Sequence, residues 1–267
     1  MKTLCSLFVV SLFLVSPLAA QQEDWAKERL EKSPRHLEWI KLKHGNREVK
    51  SLIVFPEVKE KATAVIVIHE IFGLGPWVQG VADQLAEAGY IAIAPDLLSG
   101  MGPKGGGTEE FGQNEVRKAV SGLSDDQVTA DLNAAYDYVK KLPAGNGKVV
   151  VAGFCWGGRQ TFRYATNNDG IQAALVFYGN GPTEESAIAK IKCPVYGFYG
   201  ENDARVNMTI KQSEELMKAA GKTYEPVIYK GAGHGFMRAG EMPDPQAANK
   251  QAREDGWVRV KKILKDL

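Results

Sequence analysis

The amino-acid sequence predicts an α/β fold, with a mostly parallel β-sheet, helices on both of its faces and an antiparallel hairpin at the N-terminal end. Apolar runs such as residues 63–68 show no alternation, which is typical of strands buried on both faces. Segments with helical apolar spacing alternate with these runs, and that order favours parallel pairing. With 267 residues, of which 44% are hydrophobic, the chain is long enough for one large core.

Residues 1–20 have the composition of a secretory signal peptide. Lys2 is followed by an apolar run over residues 4–15 and by a small-residue segment that ends at Ala20. The apolar run is too short to span a bilayer. We therefore predict cleavage near Ala20, a mature chain that begins at about Gln21, and a secreted or periplasmic protein without stable membrane insertion.

The mature chain is predicted to consist of a polar N-terminal arm, residues 21–36, and one domain, residues 37–267. Without Lys2, basic and acidic residues number 32 each. This balance favours neither nucleic acid nor an anionic membrane as a partner, and it suits a small neutral or singly charged substrate. A monomer is favoured.

The first predicted elements are a hairpin and a strand–helix–strand unit. Apolar residues flank His44-Gly45-Asn46, which indicates two antiparallel strands joined by a tight turn. A strand, a helix and a second strand are predicted at residues 63–68, 77–88 and 90–94.

Residues 99–112 are rich in glycine and are predicted to form a loop beyond the sheet. A mobile lid and an ordinary surface loop are both compatible with this composition. Ser124 then begins a helix that reaches Leu142. Further strands are predicted from residue 149 and at residues 171–178, 195–199 and 224–229, and helices at residues 184–190, at 209–220 and from about 245.

The segment Gly153-Phe154-Cys155-Trp156-Gly157 joins a predicted strand to a predicted helix by a sharp turn, called here the elbow. The glycines remove side chains that would clash in so tight a corner, which leaves Cys155 exposed. A helix N-terminus favours the thiolate. Two alternatives remain open: a buried structural cysteine, and a disulfide between Cys155 and Cys193, although Cys193 lies at the opposite end of a predicted parallel strand.

Four reactive side chains follow predicted strands: Glu70, Cys155, Asp203 and His234. In a parallel sheet the carboxyl ends of the strands share one edge, which is where ligands bind. The order cysteine, aspartate, histidine is the order of nucleophile, acid and base in an α/β-hydrolase. As alternatives, Asp203 could cap a turn and Glu70 could be an ordinary solvated carboxylate.

Other sites are not supported by the sequence. The glycines at 73 and 75 follow a strand, but Val78 replaces the third glycine of a dinucleotide fingerprint. His69-Glu70 lacks the second histidine of a zinc motif. We therefore predict neither a cofactor nor a metal. A non-catalytic small-molecule binder and a redox thiol protein remain alternatives to a hydrolase.

Together, Glu70-Ile71-Phe72-Gly73, the elbow, Asp203 and Gly233-His234-Gly235-Phe236 resemble the dienelactone hydrolase family. The resemblance runs from about Trp39 to the C-terminus. It implies an α/β-hydrolase fold and hydrolysis of a lactone or a related activated ester.

The resemblance also implies roles for individual residues. Cys155, His234 and Asp203 would form a catalytic triad that acts through a thioester intermediate, and Glu70 would contact the resting thiol and help to activate it. The backbone N–H groups of Trp156 and Ile71 would form an oxyanion hole. Arg238 and, by a less direct correspondence, Arg117 would bind a substrate carboxylate.

Overall fold

The computed structural model describes residues 24–267, so the predicted signal peptide lies outside the described residues. Its strands are β1 His36–His44, β2 Arg47–Phe55, β3 Ala62–Ile68, β4 Ile91–Pro95, β5 Gly145–Phe154, β6 Ala173–Phe177, β7 Val195–Gly200 and β8 Tyr224–Tyr229. Its helices are α1 Asp24–Glu31, α2 Pro76–Glu87, α3 Gln113–Ser121, α4 Asp125–Lys140, α5 Trp156–Tyr164, α6 Glu185–Ile188, α7 Ala204–Asn207, α8 Ile210–Ala219, α9 Phe236–Ala239 and α10 Ala247–Lys265.

The eight strands form one sheet in the order β1-β2-β4-β3-β5-β6-β7-β8. β1 and β2 pair antiparallel, as do β2 and β4, whereas every pair from β4 to β8 is parallel. Gly45, at φ +51°, opens the two-residue turn of the hairpin, a conformation that costs glycine little. The predicted fold class, including the N-terminal hairpin, is confirmed.

The core lies on both faces of the sheet because successive side chains of each strand point to opposite sides. In β3, Ile66 belongs to the cluster that includes α3, α4 and α5, and Val65 to the cluster that includes α2 and α10. All seven residues of β3 are buried, as its uninterrupted apolar run predicts. This arrangement fixes the carboxyl end of β3 rigidly beside that of β5.

Helix α1, in the N-terminal arm, packs on α2. Arg29 in α1 pairs with Glu241 at 2.7 Å, and Arg35 pairs with buried Asp83 at 2.6 Å. In the described residues, no helix combines the length and apolar character that crossing a bilayer requires. Four helices, α1, α3, α7 and α9, were not predicted from the sequence.

Candidate active site

Cys155 lies at the tip of the elbow, between β5 and α5, with φ +57° and ψ −113°. A positive φ is strained for a residue with a side chain. The corner is tight because glycines permit it: a Cβ on Gly153 would lie 2.3 Å from the carbonyl oxygen of Gly157, and one on Gly157 would lie 2.4 Å from that of His69. The predicted geometry of the elbow therefore has a direct structural basis.

The Cys155 thiol is half-buried, and its pKa is lowered by backbone N–H groups on two elements that act as hydrogen-bond donors to it. These donors are Trp156, the first residue of α5, and Ile71, in the turn after β3. Burial nevertheless raises the pKa of Cys155, and the charge of Glu70 raises it further, against the lowering effect of the two N–H groups and of Arg205. The expectation that the elbow favours a thiolate is wrong for the resting structure, because burial and Glu70 outweigh the helix N-terminus.

Asp203 and His234 are brought together from the loops after β7 and β8. Asp203 Oδ2 lies 2.5 Å from His234 Nδ1, and the carboxylate is buried while the imidazole is about one-third exposed. Asp203 Oδ1 also accepts a hydrogen bond of 3.4 Å from the N–H of Val206. Asp203 thus caps α7 and orients an imidazole at the same time.

Glu70 is buried and faces Arg238 rather than solvent. The two side chains form an ion pair of 3.1 Å between Oε2 and Nε, in which the N–H is not aligned for a hydrogen bond. The Arg238 guanidinium also lies 4.9 Å from the centre of the Phe72 ring, and that of Arg117, from α3, lies 4.8 Å from it. The two arginines named from the sequence are thereby gathered around one aromatic ring.

The turn Glu70-Ile71-Phe72-Gly73 is closed by a hydrogen bond of 3.1 Å from Gly73 N–H to the Glu70 carbonyl. It is buttressed by Thr108, whose hydroxyl accepts from Leu74 N–H at 3.0 Å and donates to Asp96 at 2.7 Å. The Thr108 N–H donates to the other oxygen of Asp96 at 2.7 Å. Thr108 belongs to the glycine-rich segment, residues 99–112, which therefore supports the turn.

A cavity of about 600 Å³ opens beside Phe72 and Arg238. Its walls combine aromatic rings, polar groups and cations: Trp39, Lys50, Phe72, Thr108, Phe111 and Arg238 are among the residues that line it. A volume of this size is within the range of small-molecule sites. Among residues 24–267, no group of three or more metal-ligating side chains is arranged to hold an ion.

Comparison with known proteins identifies the family. The model of the dienelactone hydrolase family matches residues 49–267. This chain belongs to the dienelactone hydrolase family. A relative from Methylorubrum extorquens, provisionally named carboxymethylenebutenolidase, is 36% identical over 207 residues, which cover 73% of this chain and 69% of the relative. The protein is accordingly a dienelactone hydrolase-like hydrolase.

Solved structures agree with this membership of the dienelactone hydrolase family. A protein from Klebsiella pneumoniae, provisionally titled dienelactone hydrolase, superposes with a TM-score of 0.75 at 27% identity, over 87% of this chain and 99% of that one. A dienelactone hydrolase-like promiscuous phosphotriesterase from metagenomic libraries gives a TM-score of 0.75 at 22% identity, over 87% and 98%. The second likeness shows the shared fold.

Two residues of this dienelactone hydrolase-family site were missed from the sequence. Tyr178, which follows β6 at φ +41°, is buried, and its ring meets that of His234 edge-on at 5.1 Å. Burial and the nearby Glu70 raise the pKa of Tyr178 far above its usual range. Arg205, two residues after Asp203, acts on the thiol by its charge. Tyr178 directly follows a strand, so the rule that ligands bind at the carboxyl ends of parallel strands could have identified it. No feature of the sequence pointed to Arg205.

Proposed function

We propose that this hydrolase opens a lactone or cleaves a related activated carboxylic ester, with Cys155 as the nucleophile. The observation that carries the proposal is the position of the Cys155 sulfur, at a strained elbow and within hydrogen-bonding reach of two backbone N–H groups. Such donors stabilise the oxyanion that forms when a nucleophile attacks a carbonyl, and one donor is typically worth about 100 to 1000-fold in turnover. Ile71 and Trp156 would supply them.

In the proposed mechanism the sulfur attacks the carbonyl carbon and the ester C–O bond breaks, which leaves a thioester on Cys155. The enolate or aryl oxide departs as an anion. His234, held by Asp203, then removes a proton from the water that hydrolyses the thioester and passes it to the departed oxygen, while the released sulfur regains its proton from Glu70. Enolates and other stabilised anions depart easily, so lactones of enols and aryl esters suit this chemistry. Amides are expected to be poor substrates.

Because its pKa is raised, the resting thiol requires activation, and we propose that Glu70 provides it. Its ion pair with Arg238 links the thiol to a cation that can bind a substrate carboxylate. When a substrate carboxylate takes over Arg238, Glu70 is released and accepts the thiol proton. Arg117, whose guanidinium also lies over the Phe72 ring, would bind the same carboxylate. The cavity beside Phe72 and Arg238 offers room for the remainder of the substrate.

The test compares Cys155→Ala with Cys193→Ala, since both cysteines are free and Cys193 is buried. The variants are assayed against a dienelactone, an aryl ester and a thioester. Hydrolysis should be lost in the first variant and kept in the second; full hydrolysis by Cys155→Ala would exclude the mechanism. A redox thiol protein would instead show fewer than two free thiols in the mature, unreduced chain, and a non-catalytic binder would show no turnover.

The role of Arg238 has its own test. Arg238→Ala is expected to raise KM for carboxylate-bearing substrates much more than for neutral esters, because only the former lose an ion pair. Arg117→Ala should show a similar but smaller contrast, because Arg117 is exposed. Equal effects on charged and neutral substrates would contradict a role in carboxylate binding. We also propose, from the N-terminal sequence, that the enzyme acts outside the cytoplasm.

A further inference from the structure

His69 is a fully buried histidine that follows β3 and contacts both sides of the thiol site. Its Nδ1 lies 2.8 Å from the carbonyl oxygen of Glu70. Its ring stacks on that of Trp156, with centroids 5.5 Å apart and planes 13° apart. His69 therefore contacts the Glu70–Ile71 peptide, which contains one N–H donor to the sulfur. It also contacts Trp156, which contains the other donor.

The protonation state of His69 follows from its surroundings. Burial lowers the pKa of His69, against the raising effects of the Asp96 charge and of the Glu70 carbonyl, so the ring is neutral at physiological pH. Since a carbonyl oxygen can only accept, Nδ1 carries the proton. Nε2 is then an acceptor, and it is buried without a hydrogen-bond partner. Leaving a buried acceptor unsatisfied destabilises a fold, so an apolar ring would be preferred here if packing alone mattered.

The bond to Glu70 acts on the neighbouring donor through the geometry of the peptide. The Glu70 carbonyl and the Ile71 N–H are opposite ends of one planar trans unit, so fixing the direction of the oxygen fixes that of the N–H. The same oxygen accepts the N–H of Gly73 at 3.1 Å. Held from these two sides, the carbonyl turns away from the site and the Ile71 N–H turns towards the Cys155 sulfur.

We propose that His69 is a positioning residue, whose Nδ1–H fixes the Glu70–Ile71 peptide and whose ring supports Trp156, so that both N–H donors stay aimed at the reacting oxygen. The inference rests on the proposed function, since it assumes that these N–H groups form the oxyanion hole. His69 neither gains nor loses a proton during the reaction.

Matched substitutions separate the hydrogen bond from the stack. His69→Phe keeps an aromatic ring against Trp156 and removes the donor, whereas His69→Asn keeps an N–H near the position of Nδ1 and removes the ring. We expect His69→Phe to lower kcat on an aryl ester by about 10-fold, part of the value of a full donor, with KM changed less than about 2-fold. His69→Asn should recover most of that loss. Ile66→Val, a buried change in the same strand, should lower the thermal stability without changing kcat.

Alkylation of Cys155 by iodoacetamide, followed against pH, gives a second measurement that needs no hydrolysis. The Ile71 and Trp156 N–H groups and Arg205 lower the pKa of the thiol, while burial and Glu70 raise it, and all these groups are retained in the variants. His69→Phe should therefore move alkylation to higher pH and His69→Asn should not. If Cys155→Ala left hydrolysis intact, the proposed function would fail while this alkylation profile still decided the role of His69.

Three results would overturn the inference. They are an unchanged kcat in His69→Phe, an alkylation profile of His69→Phe that matches the wild type, and equal losses of kcat in His69→Phe and His69→Asn. Nitrogen NMR of the wild-type protein provides a test that does not depend on whether the variants fold. It should show the Nδ1–H tautomer of His69, and an Nε2–H tautomer would remove the hydrogen bond on which the inference depends.

Discussion

Replacing Asp203 by asparagine tests the triad most directly, because the two oxygens of the Asp203 carboxylate contact different groups. The carboxylate is 6% exposed, with one oxygen 2.5 Å from His234 Nδ1 and the other 3.4 Å from the N–H of Val206. Asparagine caps helices about as well as aspartate, and solvent screens the contact with the partly exposed imidazole. The free energy of unfolding should therefore fall by only about 1 kcal/mol. For a domain of this size, that shifts Tm by roughly 2 to 4 °C.

The effect of Asp203→Asn on catalysis should be much larger. The variant removes the charge that orients the imidazole and stabilises the imidazolium. In a serine triad the equivalent change costs about 10⁴-fold in kcat. A thiol gives up its proton more easily than a hydroxyl, so we expect about 100 to 1000-fold here, which corresponds to about 3 to 4 kcal/mol in the activation free energy.

Asp83→Asn is the matched control, since Asp83 is 1% exposed and pairs with Arg35 of the N-terminal arm. Loss of this buried charge should destabilise the fold by about 3 kcal/mol or more while kcat stays near that of the wild type. Both variants are assayed for aryl ester hydrolysis and for thermal unfolding. If kcat fell in proportion to Tm in both, or if Asp203→Asn kept kcat within about 5-fold of the wild type, the assignment of the triad acid would be refuted.

Three further predictions concern the support of the site, the thiol and the N-terminus. Thr108→Val removes the hydroxyl bond to Asp96 and leaves a backbone N–H without its acceptor, so it should destabilise the fold by about 2 to 4 kcal/mol in urea unfolding, and Thr108→Ser by less. Glu70→Gln removes a charge that raises the pKa of Cys155, so alkylation should begin at lower pH; a shift to higher pH would contradict this sign. Mass spectrometry of secreted protein should find Gln21 at the N-terminus, and an intact Met1 would exclude cleavage.

The fold could be predicted largely because its central strands are buried on both faces and leave uninterrupted apolar runs. Thr63 to Ile68 and Val149 to Val151 are such runs, and their short length and β-branched residues favour a strand over a buried helix. Helix α3 was not predicted, because Val116 and Val120 are its only fully buried residues and a glycine-rich segment precedes it. Helix α7 has four residues, too few to show a period.

Glu70, Cys155, Asp203 and His234 were named by position, since each follows a predicted strand and the carboxyl ends of parallel strands share an edge, whereas Arg117 and Arg238 were named from the family resemblance. A position after a strand does not show which side chains contact each other. The sequence gives no sign that Glu70 pairs with Arg238, or that Arg117 and Arg238 meet at Phe72, because these contacts join segments far apart in the chain. Likewise, His69 was considered only as a zinc ligand. Its contacts with Glu70 and Trp156 depend on how closely β3 and α5 approach.

The protonation of Cys155 shows why magnitudes, and not only motifs, decide the chemistry. A helix N-terminus favours a negative charge by about 0.3 to 1 kcal/mol at an exposed position, which is the effect that the elbow motif suggests. Burial and a neighbouring carboxylate both oppose that charge, and together they can shift a pKa by several units. In this structure they prevail, so the pKa of the resting thiol is raised. In the proposed mechanism, the two N–H donors would stabilise negative charge mainly once it has moved from sulfur to the substrate oxygen, which would favour the transition state over the resting enzyme.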